Sequence, residues 1–170
     1  MDNLNRCRQL VGFSKTPMNP LAMNFREAQV ADIPQLSTVR LSVQENRLSN
    51  PDLVTPQDYV DYLTQRGKGW ACQVHETIVG FGIADLLGHS IWALFVQPEF
   101  AGQGIGKQLH DLMLEWYFAQ TSEPVWLSTA PGTRAEEFYR RQGWQDTGRT
   151  SSGEVRFEMT AREWESNRPA

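Results

Sequence analysis

Cysteine is scarce in this chain, with two residues, Cys7 and Cys72, among 170, and histidine numbers only three. No C-x-x-C pair is present, so neither a disulfide scaffold nor a structural zinc site is expected, and the thiols are read as reduced in a cytoplasmic protein without a metal. Positive charge is not in excess either. Sixteen Lys and Arg against twenty Asp and Glu leave a formal net charge of −4, which argues against a nucleic-acid partner, whose binding draws on neutralised phosphates. Long apolar runs are also missing. The longest, "IVGFGIADLLGHSIWALFV", is interrupted by Asp85 and by Gly88-His89 and reads as strands and a turn, not a membrane span. "MDNLNRCRQLVGFSKTPMNP" has no sustained apolar core of the secretory type. Periodicity there is weak, and Pro17 and Pro20 precede Met23. Residues 1–22 are therefore expected to be a poorly ordered extension, and 23–165 a single domain.

The remaining sequence is ordinary globular material, 40% hydrophobic and 21% charged. Alternation predicts a strand over 23–29. A helix over 32–46 follows, with Asp32 as cap, Pro34 in the first turn and an apolar face of Ile33, Leu36, Val39, Leu41 and Val43. A second helix, 55–67, opens with Thr55-Pro56 and closes at Gly67. Strands are expected at 70–76, 77–87 and 90–98, a helix at 104–119, a strand at 124–129 and a helix from Thr133 to Gly143. Two last strands meet at Ser151-Ser152-Gly153. The order β-α-α-β-β-β-α-β-α-β-β predicts an α/β fold (α+β mixed sheet) flanked by about four helices.

Three glycines, Gly102, Gly104 and Gly106, interrupt the junction between the strand ending at Pro98 and the helix that follows. A Walker loop would require Ser or Thr after Gly106-Lys107, where Gln108 stands, and the G-x-G-x-G spacing is not the dinucleotide fingerprint. Two readings remain: a tight packing corner, or a cradle in which the unpaired amides of the first helical turn hold an anion.

Residues 96–109, "VQPEFAGQGIGKQL", resemble motif A of the GNAT superfamily of acyl-CoA-dependent N-acyltransferases through Val96, Pro98, Gly102, Gly104, Ile105, Gly106 and Leu109. Ala101 stands where that family usually has Gln or Arg. "RAEEFYRRQGW" is similar to motif B through Ala135, Phe138, Tyr139, Gly143 and Trp144, with Gly132 at a position often occupied by Asn. The resemblance covers roughly residues 23–160 and implies a mixed sheet splayed at its fourth and fifth strands. It implies that Gly102, Gln103, Gly104, Ile105, Gly106 and Lys107 hold the pyrophosphate of acetyl-CoA as co-substrate, that Leu94 and Val96 serve it through main-chain atoms, and that Arg134 reaches its 3′-phosphate. It also makes Tyr139 the general acid for the leaving thiolate.

The general base stays open among Glu45, Asp85 and a water relay. The implied activity is transfer of an acetyl group to a primary amine, with a small-molecule acceptor favoured over a protein. A catalytically silent acyl-CoA sensor is the alternative. The acidic and tyrosine residues of 45–62 suit a cationic amine. An exposed C-terminal edge strand is available for a homodimer, as in many relatives.

Overall fold

The computed structural model describes residues 22–48 and 50–168. The expected extension, 1–22, therefore lies outside the described residues but for Ala22, and Cys7 lies outside them too. In chain order the elements are β1 (Met23–Glu27), α1 (Ile33–Ser42), α2 (Pro56–Asp61), β2 (Gly67–Val74), β3 (Thr77–Asp85), β4 (Ser90–Val96), α3 (Ile105–Gln120), β5 (Val125–Thr129), α4 (Arg134–Arg141), β6 (Gln145–Arg149), β7 (Val155–Met159) and α5 (Ala161–Asn167). The strands form one sheet in the order β1-β2-β3-β4-β5-β7-β6, antiparallel throughout except between β4 and β5.

Local chemistry sets the boundaries. Thr55 and Asp58 form a reciprocal capping box at the start of α2, with Pro56 at its first position. That helix is shorter than expected, because it loosens into a π-helical turn over Tyr62–Arg66. Gly67, expected to end the helix, opens β2 instead. The Arg66 carbonyl accepts from the amides of Leu86 and Leu87, and the Arg66 guanidinium donates to Asp85 at 2.8 Å. Those bonds draw the chain alongside β3 at once. Helix α1 ends at Ser42, so Val43–Asn46 form a loop, and Leu41, expected in the core, is 56% exposed. A fifth helix, α5, was not expected. It is short and strongly charged, yet Thr160 and Glu163 make a second capping box, and Trp164 anchors it in the core.

Alternate residues of β3 serve opposite faces of the sheet, as strand geometry requires. Phe81 and Ile83 pack with Leu36, Val39 and Tyr59 of α1 and α2. Gly80 and Gly82 instead face Ile105, Leu109 and Met113 of α3. A separate cluster under β5 and β7 joins Leu114 and Tyr117 of α3, Tyr139, Trp144 and Trp164. No helix among the described residues is long and apolar enough to cross a membrane.

Candidate active site

Strands β4 and β5 pair at one position only, Ser90 with Trp126. The Trp126 amide donates to the His89 carbonyl at 2.9 Å, and its indole donates to the Gly88 carbonyl at 3.0 Å. Beyond this point the strands part. The Gln97 amide donates to Val79 of the β3 side at 2.8 Å. By the two-residue alternation of a strand, Phe95 and Ala93 also turn their main-chain groups to β3, and those of Leu94 and Val96 face the gap. A cleft of about 670 Å³ opens there, lined by Leu94, Phe95 and Val96, by the glycine loop, by Val43–Asn46 and by the inner face of α4.

The glycine loop forms one end of the cleft. Gly102 and Gly104 adopt left-handed φ values of 76° and 82°, which favour glycine. A Cβ at either would meet no protein atom within 4 Å, so packing does not require these glycines. Gly104 begins α3 with no side-chain cap, and the first main-chain bond of the helix is from Gln108 to Gly104 at 3.1 Å. Among the described residues, the amides of 102–107 have no main-chain acceptor. Aligned with the helix dipole, they suit an anion such as a pyrophosphate. Lys107 lines the same end but is paired with Asp111 at 2.7 Å. Arg134 and Arg141 also line the cleft and form no ion pair with a described residue. Gln103 does not line it.

Tyr139 lines the cleft from α4. Its ring packs against Phe138, Trp144 and Phe157, and burial pushes its phenol above the usual tyrosine value. Glu45 is the one carboxylate among the residues lining the cleft. Both its oxygens accept from the Arg134 amide, at 3.0 and 3.2 Å, so it seats the N-terminus of α4. Asn46, at φ 54°, accepts from the Ala130 amide at 2.8 Å and from Thr129 Oγ1 at 3.2 Å. Two consecutive residues thus tie the loop after α1 to the end of β5 and the start of α4. The sequence sets Asn46 only among the acceptor-side residues beside Glu45 and gives it no part in holding the loop. Its signal was an Asn just past a helix, a residue type that tolerates left-handed backbone.

Asp85 lies elsewhere. It is 3% exposed, accepts from Arg66 and from the Gly88 amide, and does not line the cleft. His110 accepts at Nε2 from the Trp144 indole at 2.9 Å and donates from Nδ1 to Asp111 at 2.8 Å. A chain of contacts therefore runs from Lys107 through Asp111 and His110 to Trp144, joining the two sequence motifs. At Gly132, φ is 73° and the amide donates to Glu136 at 2.6 Å; Gly and Asn both accept that backbone, which accounts for Gly at this position.

The sequence model described as the acetyltransferase (GNAT) family matches residues 35–144. No curated protein matches the chain at a significant level. Among solved structures, an acetyltransferase of the GNAT family from Staphylococcus aureus Mu50 superposes with a TM-score of 0.70 at 22% identity, covering 82% of this chain and 99% of the other. PaiA N-acetyltransferase from Thermoplasma acidophilum, solved in complex with coenzyme A, gives a TM-score of 0.70 at 13% identity over 82% of this chain and 99% of its own. The ribosomal-protein-S18-alanine N-acetyltransferase from Escherichia coli gives 0.64 at 14% identity, covering 81% and 92% respectively. At these identities the likeness is one of fold.

Proposed function

Since the chain belongs to the GNAT family of acetyltransferases, we propose that it moves an acetyl group from acetyl-CoA to the primary amine of a small molecule. The observation that carries this reading is the run of unpartnered amides at 102–107 beside a sheet that opens between β4 and β5. These amides would hold the pyrophosphate, and Arg134 or Arg141 would reach the remaining phosphate. The main-chain groups of Leu94 and Val96 would orient the pantetheine and polarise the thioester carbonyl. The thioester supplies an acyl carbon for direct attack by the amine: the C–N bond forms, a tetrahedral oxyanion collapses, and the C–S bond breaks. Tyr139 gives its proton to the departing thiolate, its buried phenol being protonated at neutral pH. The amine's proton leaves through Glu45 or a water beside it, and Asp85, outside the cleft, takes no part.

One observation favours a silent acyl-CoA sensor: the Glu45 carboxylate is committed to the Arg134 amide. Turnover on any amine decides against it. The first test is thermal unfolding with acetyl-CoA, with ATP and NADH as controls. At a hundred times Kd a ligand adds about 2.7 kcal/mol, which for this size raises Tm by roughly 5–10 °C. A rise with acetyl-CoA alone is expected. No rise, or an equal one with ATP, would overturn the assignment of the cleft.

A further inference from the structure

A second pocket, of about 470 Å³, lies under the connection between α1 and α2, lined by Ser37, Arg40, Leu41, Arg47, Asp52 and Tyr59 among others. It adjoins the cleft, since Asn46 lines both and Phe95 of the cleft covers Arg40. The Arg40 guanidinium is held between two rings, 5.1 Å from the centre of Trp92 and 5.0 Å from that of Phe95. Cation–π contact of this kind anchors the guanidinium without using its N–H donors. Yet Arg40 Nη1 is buried with no hydrogen-bond partner among the described residues, and so is the hydroxyl of Tyr59, a residue only 2% exposed. Burial raises the Tyr59 phenol, while Arg40, close to its hydroxyl though outside good hydrogen-bond geometry, pulls it the other way. Asp52, the one carboxylate lining the pocket, is exposed and forms no ion pair with Arg40.

Of the acidic residues expected to greet a cationic amine, Asp52 stays exposed at the rim of the pocket and three are occupied elsewhere. Asp58 caps α2 through Thr55, Asp61 accepts from Gln57, and Glu45 seats α4. An enclosed guanidinium nitrogen on the half-buried Arg40 and a buried hydroxyl, each without a well-formed hydrogen bond, are costly. A carboxylate, with two oxygens in one plane, supplies an acceptor to each. We propose that this pocket binds the carboxylate of the acceptor through Arg40 and Tyr59, so that the amine acetylated belongs to a free amino acid. The proposal rests on the acetyltransferase reading of the adjoining cleft.

The test uses the full chain in a carboxylate-free buffer, with the twenty common amino acids and their primary amides as matched probes. Thermal unfolding without acetyl-CoA comes first, then thiol release with acetyl-CoA. At least one acid should raise Tm where its amide does not, and should be acetylated with kcat/KM at least tenfold higher than the amide. Arg40→Gln should abolish that preference while leaving the acetyl-CoA shift intact. Should that variant fail to fold, Tyr59→Phe, which keeps the ring, should still weaken the acid selectively. Equal response to acids and amides, no response to any acid, or a preference unchanged in these variants would overturn the proposal. Loss of the acetyl-CoA shift in the unaltered protein would instead sink the reading of the cleft, and the acid-versus-amide comparison without acetyl-CoA would still judge the pocket.

Discussion

Tyr139 is the residue on which the proposed chemistry of the cleft turns, and its phenol should stay protonated well past neutral pH because burial disfavours the phenolate. Tyr139→Phe should therefore lower kcat by about 10²-fold or more, with acetyl-CoA affinity and Tm nearly unchanged because the ring packing survives. Any loss of activity below pH ~10 belongs to another group. Glu45→Gln retains an oxygen for the Arg134 amide, so it should fold normally and lose turnover only if Glu45 moves the amine's proton; Glu45→Ala should also cost about 0.5–2 kcal/mol of stability, as cap removals do. Steady-state kinetics paired with thermal melts separates these outcomes. At this scale the sequence was legible where a motif spoke: Tyr139, Leu94, Val96 and the glycines all line the cleft. Arg40 was passed over although it stands four residues after Leu36, on the buried stripe of α1. A charge on an apolar face is a signal that periodicity alone treats as noise.

Helix α3 and the loop before it behave as one element. Gly104→Ala would place a methyl in open space at a left-handed φ, costing about 1–2 kcal/mol through the backbone. A rise in acetyl-CoA Kd of tenfold or more on top of that, measured by titration, is expected if the amides hold phosphate. The loop after α1 offers a second test. Asn46→Ala removes the acceptor for Ala130 and Thr129 and should destabilise by about 1–3 kcal/mol; Asn46→Gly, which accepts the left-handed backbone, separates the lost hydrogen bonds from strain. Element types were readable from period and caps, as with Thr55-Pro56 and Thr133. Boundaries were not. The end of α1, the π-helical turn and the early start of β2 depend on partners far along the chain, such as Asp85 for Arg66, which no local pattern reveals.

The whole molecule should lose stability at both extremes of pH. Arg26 holds Asp32 below the usual carboxylate range against the opposing effect of burial. Burial likewise opposes, but His110 and Lys107 outweigh it, at Asp111; Arg140 brings Asp146 down to about 2. Depressed carboxylates stabilise the fold fully above their unfolded pKa and lose that contribution as pH falls through the folded value. Unfolding midpoints should accordingly drop between pH ~4 and ~2. Burial, aided by Glu123 and Asp85, pushes Tyr117 up to about 12. A raised acid has the opposite sign, so its contribution is intact below pH ~10 and disappears toward ~12. Urea melts across both limbs check the two windows. The single pairing between β4 and β5 carries a consequence for the assembled sheet. Its two parts, β1–β4 and β5–β7, form an incompletely zipped ladder, and a ligand bonding Leu94 and Val96 would act as a guest strand. Deuterium uptake at those two amides, fast in the free protein, should then slow on acetyl-CoA binding, while amides already engaged on the β3 side keep their rates.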